Sequence, residues 1–276
     1  MSEKENLKIL IVSSEVAPYA KSGGLGDVAG SLPRALKSLG FDVRVVLPKY
    51  KTIKTDYFAD IEFLGSFETN LAWRTQKVGI LKKQTEFPIY FIENDYYFYR
   101  DGFYGYGDDN ERFAFFSKAV LDMLSFIDFY PDVIHCNDWQ TGPVCLFLKE
   151  SYRKIKWYSE IKTLFTIHNL QYQGNFGAET LNILDVPNYC FEGGNIEFYG
   201  NVSFMKAGLM YADRISTVSK TYAQEIQTPQ YGYGMDGILK SKHNEVHTPV
   251  TAHLTGFLLD FFVNRVAIVS QHGIAD

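Results

Sequence analysis

One continuous apolar run, followed thirty residues on by a second strand-like segment, constrains this chain more than any other feature. Lys8 to Ser13 reads KILIVS, and Asp42 to Leu47 reads DVRVVL. A strand with one wet face alternates polar and apolar residues. A continuous run is what a strand shows when helices cover both faces, as in the middle of a parallel sheet. Between the two runs, Leu25, Val28, Ala29, Leu32, Leu36 and Leu39 recur at spacings of three and four, and Gly40 offers a helix stop. Pro33 interrupts that pattern, and either kinks the helix or moves its first turn later. Strand, helix and strand within about forty residues form a βαβ unit with a right-handed crossover.

The alternation persists. Pro88 to Ile92 (PIYFI), Asp132 to Cys136 (DVIHC), Lys162 to Ile167 (KTLFTI) and Arg214 to Val218 (RISTV) read as further strands. Helices are expected after Asp109 or Asn110, from about Thr141 to Lys149, from Ser203 to Tyr211, and after the capping residue Ser219. This pattern specifies an α/β fold: a doubly wound, mostly parallel, Rossmann-like sheet. Tyr50 to Phe87 is less regular and suggests a hairpin on the sheet's edge, while Tyr96 to Asp109 reads as an ordered loop. With 276 residues, 46% of them apolar, the chain can bury a sizeable core. A formal charge of -5 with scattered Lys and Arg argues against a general nucleic-acid partner. Cys136, Cys145 and Cys190 show no CxxC spacing, which suits a reducing cytosol. The polar start MSEKENLK lacks a signal peptide's pattern. Leu254 to Val269 is broken by Asp260, Asn264 and Arg265, too short and interrupted to span a bilayer. A cytoplasmic protein with no membrane partner is expected.

In open parallel sheets, ligands bind beyond the carboxyl ends of the strands. Three polar segments fall there: Lys21 to Asp27 (KSGGLGD), His135 to Trp139 (HCNDW) and His168-Asn169. Glycines beside Lys21 can cradle a pyrophosphate or an anionic transition state, or can simply make a turn. Gly24 to Ala29 also fits the relaxed GxGxxA dinucleotide pattern. It lies about ten residues past the first strand, however, and no acid follows the second strand, so an NAD-type dehydrogenase is only an alternative. Asp138 and His168, each beside an amide (Asn137, Asn169), suit a shared site that grips sugar hydroxyls. The blander readings are an Asp138 that caps the helix at Thr141 and a structural histidine. His135, Asp138 and His168 lack a recognised zinc spacing, and no metal is expected.

Five segments taken in order, KSGGLGDV (from Lys21), DVRVVLPKY (from Asp42), HCNDWQTG (from His135), TIHNLQYQG (from Thr166) and TVSKTYAQEI (from Thr217), resemble the bacterial glycogen synthase and plant starch synthase family. The likeness covers about Leu7 to Lys240. It implies the N-terminal half of a GT-B architecture, in which two Rossmann-like domains face each other across a cleft. It also implies transfer of glucose from ADP-glucose to the non-reducing end of an α-1,4-glucan (glycogen), with retention and without metal or other cofactor. By that resemblance Lys21, Gly23 and Gly24 match a KxGGL motif that lies against the donor's phosphates, and Asp27 lies in the same loop. Asp138, His168 and Asn169 match positions that contact the glucosyl unit or acceptor. Asp138 and His168 are the catalytic candidates, with the His168 carbonyl a source of stabilisation for an oxocarbenium-like species. Tyr99 falls in a segment resembling a sugar-contacting loop, and Ser219 supports the cleft.

The resemblance divides the chain into residues 1–240, the acceptor-side domain, and 241–276, a divergent tail. That tail does not resemble the family's continuation into a second domain, which carries most of the nucleotide pocket. His243, His247, His253 and His272 fall there, as solvated loop residues or, less simply, metal ligands. The expectation is a truncated half-enzyme, nearly inactive without the missing C-terminal donor domain. The alternative is a non-catalytic glucan-binding remnant.

Overall fold

The computed structural model describes residues 7–242 and the backbone of 246–247. Its strands, in chain order, are β1 (Lys8–Val12), β2 (Asp42–Pro48), β3 (Glu62–Leu71), β4 (Arg74–Gln84), β5 (Pro88–Glu93), β6 (Val133–Asn137), β7 (Lys162–Ile167), β8 (Asn175–Phe176), β9 (Glu197–Phe198), β10 (Asn201–Ser203), β11 (Arg214–Thr217) and β12 (Val246–His247). The main sheet runs β12-β11-β7-β6-β1-β2-β5-β4-β3. β1 lies inside it, parallel to both β2 and β6, which explains its all-apolar sequence: Ile9, Leu10, Ile11 and Val12 are all buried. Every pairing from β12 to β5 is parallel, and only the β5-β4 and β4-β3 pairings are antiparallel, at the edge where a hairpin was expected.

Helix Gly24–Ser38 is continuous, with Pro33 inside it. Pro33 is buried on the inner face with Leu25, Ala29 and Leu36, and that burial offsets the helical hydrogen bond its ring nitrogen cannot donate. Ser219 caps as read, accepting from the N–H group of Tyr222 at 3.1 Å, and Ser203, read as the first residue of its helix, is that helix's cap, accepting from Lys206 N–H at 3.2 Å. Asp109 does not cap. It opens helix Asp109–Phe126, and its carboxylate accepts from the N–H groups of Gly105 and Tyr106 and pairs with Arg112. Arg112 is fully buried beneath the rings of Tyr106 and Phe113. Arg100 meanwhile grips Asp108 through both guanidinium nitrogens, at 2.5 and 2.6 Å. These contacts give the Tyr96–Asp109 segment its order.

Two features escape the sequence pattern. A small sheet, β8-β10-β9, stands apart from the main one, and its two- and three-residue strands carry no periodicity to read. The main sheet also does not stop at residue 240, because β12 pairs in parallel with β11. The remainder of the divergent tail, including Leu254 to Val269 and three of its four histidines, lies outside the described residues. Among the described residues, no helix is long and apolar enough to cross a membrane.

Helices Gly142–Glu150 and Phe204–Tyr211 pack closely against one another. A Cβ on Gly142 would stand 1.8 Å from the Phe204 carbonyl oxygen and 3.2 Å from the Gly208 nitrogen. Both are backbone atoms that cannot rotate away. Gly142→Ala should therefore destabilise the fold by about 3 kcal/mol, read as a lower denaturant midpoint at unchanged m-value.

Candidate active site

Because β1, β6 and β7 are parallel neighbours, their carboxyl ends finish level and the three polar loops share one edge of the sheet. Asp138 follows β6 with a left-handed backbone (φ 56°). Its carboxylate Oδ1 accepts from the N–H groups of His168 at 2.7 Å and Asn169 at 3.3 Å. Its side chain does not cap the following helix; the Asp138 carbonyl accepts from Thr141 instead. The amide of Asn137 donates to the Val12 carbonyl at 3.1 Å, which leaves its oxygen facing His168 Nε2 at 2.9 Å. An amide oxygen only accepts, so His168 Nε2 must donate. At neutral pH, Nδ1 is then left as a free acceptor. One hydrogen-bonded run therefore joins β1, Asn137, His168 and Asp138.

The glycine loop is organised by a residue that the sequence reading passed over. Glu15 is 3% exposed. Its carboxylate accepts from the N–H groups of Ser22 and Gly23, from the Ser22 hydroxyl at 2.7 Å and from the Tyr104 hydroxyl at 2.7 Å. Two of the loop amides that might receive a phosphate thus point inward, onto an internal carboxylate. No side chain caps the helix that follows, and no atom lies within 4 Å of where a Cβ would stand on Gly23 or Gly24. The helix's first-turn N–H groups remain for an anion. The signal for Glu15 was its position, an acid just beyond β1 and ahead of the glycines. Tyr104 also lies near the ring of Trp139, with centroids 6.2 Å apart. Trp139 in turn lies so close to Gly174 (φ 57°) that a Cβ there would meet its ring at 2.3 Å.

The remaining candidates lie around this centre. Lys21 is half-exposed and pairs with Asp27 at 2.7 Å, a surface contact worth little stability, so its ammonium is free to change partner. Asn169 is exposed, and its side chain accepts from Gln171 N–H at 3.0 Å. Tyr99 has no hydrogen bond or ring contact with Asp138 or His168 among the described residues. It is exposed beyond the end of β5, with the Lys51 ammonium 5.2 Å from its ring centre. Tyr104, five residues on, is the tyrosine joined to the glycine loop. His135 bonds Thr166 Oγ1 at 2.6 Å, and Thr166 bonds Ser216 at 2.6 Å, a ladder across β6, β7 and β11. Among the described residues, no group of three or more His, Cys, Asp or Glu is placed to hold a metal.

Burial sets the ionisation of this edge. Desolvation pushes the Asp138 carboxyl up to about 7 against the pull of its two N–H donors, and the Glu15 charge adds to the rise. Desolvation lowers His168 to about 4 and His135 to about 3. The site thus holds neutral imidazoles and a carboxyl poised near neutrality, together with a half-exposed lysine and open helix N–H groups. Such a set can hydrogen-bond a polyhydroxylated ligand while a cation and helix dipole meet its anionic part.

A family model described as the starch synthase catalytic domain matches residues 8–241. Glycogen synthase from Moorella thermoacetica is 53% identical over 239 residues, covering 86% of this chain and 48% of the relative. Glycogen synthase from Desulforamulus reducens is 51% identical over 243 residues, covering 87% and 51%. The solved catalytic domain of starch synthase IV from Arabidopsis thaliana, bound to ADP and acarbose, superposes with a TM-score of 0.82 at 32% identity, covering 88% of this chain and 51% of that one. The chain spans about half the length of the curated relatives it matches.

Two outcomes follow from the site's electrostatics. Between about pH 4 and 6.5, His135 and His168 are neutral in the fold and protonated in the unfolded chain, whereas Asp138 is protonated in the fold and ionised in the unfolded chain. The histidines make stability rise with pH and Asp138 opposes them. The unfolded chain binds a net one extra proton, and these three groups give a rise of about 1.4 kcal/mol per pH unit. Urea titrations should show His135→Asn flattening that slope and Asp138→Asn steepening it. Separately, Glu15→Ala removes the common acceptor of the Ser22 and Gly23 N–H groups, and leaves the Tyr104 hydroxyl only its contact with Ser14, at a cost of about 1 kcal/mol. Trypsin should then cleave after Lys21 faster than in the parent chain.

Proposed function

The chain belongs to the starch synthase catalytic-domain family, and on that premise we propose that it forms the acceptor-side half of a retaining glucosyltransferase site. The donor is ADP-glucose, and the acceptor is the 4-hydroxyl at the non-reducing end of an α-1,4-glucan. The observation that carries this reading is the Asp138 carboxylate fixing the backbone turn at His168 and Asn169. That turn presents the His168 carbonyl and its free Nδ1 in one rigid arrangement at the end of β7. A carbonyl dipole held there favours the oxocarbenium-like charge that develops at the anomeric carbon, and Nδ1 accepts from a sugar hydroxyl. The Lys21 ammonium and the first-turn N–H groups of helix Gly24–Ser38 favour the charge that accumulates on the departing diphosphate. Neutral imidazole suits this role better than imidazolium, which would repel the developing cation.

Contacts that exist only in the transition state are the ones that accelerate chemistry. In this reading they form when a second, donor-side domain closes over the edge described here. The test is complementation. The chain is incubated with ADP-glucose and glycogen, with and without the separately expressed donor-side domain of the Moorella thermoacetica relative. Labelled glucose should enter glycogen only in the mixture, and Asp138→Ala, which leaves the His168 and Asn169 N–H groups without their acceptor, should reduce that rate about a hundredfold. Retention on glycogen without incorporation in the mixture would overturn the proposal in favour of a glucan-binding remnant.

A further inference from the structure

The turn that leaves β7 is held by both of that strand's neighbours in the sheet. On the β6 side, the Asp138 carboxylate accepts the N–H groups of His168 and Asn169. On the β11 side, the Thr217 hydroxyl donates to the Ile167 carbonyl, the last of β7, at 2.8 Å. From the helix after β11, the Tyr222 hydroxyl accepts the Leu170 N–H at 2.9 Å. Within the turn, Gln171 N–H donates to the Asn169 side chain at 3.0 Å and Tyr172 N–H to the Asn169 carbonyl at 3.2 Å. Every N–H from His168 to Tyr172 therefore has a partner.

Tyr222 is itself fixed in place. Its helix, Lys220–Glu225, starts at Ser219, whose hydroxyl accepts the Tyr222 N–H at 3.1 Å. Parallel pairing sets Thr217 opposite Ile167, so the start of that helix stands beside the turn leaving β7. Desolvation raises the Tyr222 phenol above its ordinary value, and the nearby Asp138 charge adds to the rise. At neutral pH the hydroxyl is uncharged and keeps a lone pair for Leu170.

These bonds bear on the direction of one carbonyl. A peptide unit is planar, and its C=O points away from its N–H. The His168 carbonyl shares a unit with the Asn169 N–H, so orienting one orients the other. The Asn169 bond to Asp138 is 3.3 Å, long for an amide donor, and alone it holds that unit loosely. The flanking units are held more closely, at 2.7 Å through His168 N–H and 2.9 Å through Leu170 N–H. A unit rotates by changing the dihedrals at both its ends. Anchoring the units on either side opposes that rotation.

We propose that Tyr222 is a positioning residue for the reaction: by holding the Leu170 N–H, it fixes the direction of the His168 carbonyl. The inference deepens the proposed function and rests on the role given there to that carbonyl. Tyr222 acts through the backbone, without touching the reacting atoms. A carbonyl dipole favours a developing cation only when aimed at it, so misdirection costs rate and spares ground-state binding. The Leu170 side chain is fully buried and keeps the path of the chain when the hydroxyl is lost.

Tyr222→Phe tests this by removing the hydroxyl and leaving the ring. On the chain alone, amide hydrogen exchange should quicken about tenfold at Asn169 and Leu170 and stay unchanged at Cys136 in β6. In the mixture with the donor-side domain, kcat should fall about tenfold, while KM for ADP-glucose and for glycogen stays within about twofold. Tyr158→Phe is the control. It deletes a hydroxyl that donates to the Leu121 carbonyl at 2.7 Å, between helices Lys156–Glu160 and Asp109–Phe126, and should lower the melting midpoint without changing kcat. Unchanged kcat in Tyr222→Phe overturns the proposal, as does unchanged exchange at Asn169. A raised KM at constant kcat also overturns it, by making the hydroxyl a substrate-binding group. An equal loss of kcat in Tyr158→Phe does the same, by reducing the effect to stability. Failure of the parent reading looks different: the unmutated chain gives no incorporation in the mixture while the exchange difference persists. That outcome removes the reaction, and with it the role of Tyr222.

Discussion

The Asp138 carboxylate ties together what parallel pairing alone only brings near. Parallel pairing places the ends of β6 and β7 side by side, with Asn137 opposite Thr166. It does not fix the turn that leaves β7. Asp138 does so by accepting two consecutive N–H groups of that turn, and a left-handed backbone aims its side chain there. The arrangement works because the carboxylate is buried: with little water to compete, the two hydrogen bonds hold firmly. Burial has the opposite effect on charge, raising the carboxyl to about 7. The same desolvation therefore makes the turn rigid and brings the acid near neutrality.

The rest of this edge follows a similar logic. Glu15 is a second buried carboxylate satisfied by backbone N–H and hydroxyl donors, with no ion pair to a cation among the described residues. Such groups destabilise a fold unless their hydrogen bonds are complete, and here they are supported by a well-packed apolar layer below. Arg112 applies the same principle to the neighbouring loop. It is fully buried, held by Asp109 and by the carbonyl groups of Tyr97 and Phe103. Polar groups concentrate where the strands end, and the positive φ of Asp138 falls there too.

Some of this was legible without coordinates. The apolar run at Lys8 gave a buried strand because no other environment tolerates that pattern, and the spacing from Leu25 to Leu39 gave the helix that follows. The edge hairpin and the cap at Ser219 were likewise readable. Asp109 was misread, because an acid at a helix start suits a cap and a loop clamp equally, and only the partners distinguish them. Glu15 and Tyr104 went unremarked, since one hydrogen bond across 89 positions leaves no trace in spacing. The β8-β10-β9 sheet is too short to carry a period.

The sequence by itself determined the α/β class, the edge at which polar loops gather and the family, because hydrophobic period and ordered motifs are local properties of a chain. Tertiary structure alone decided which of those loop residues meet. It turned the amides of Ser22 and Gly23 inward to Glu15, set His168 on Asn137, and gave Asp138 the backbone N–H groups of the turn beside it. Those outcomes depend on which strands lie side by side and on where water is excluded, and neither quantity exists until the sheet has formed.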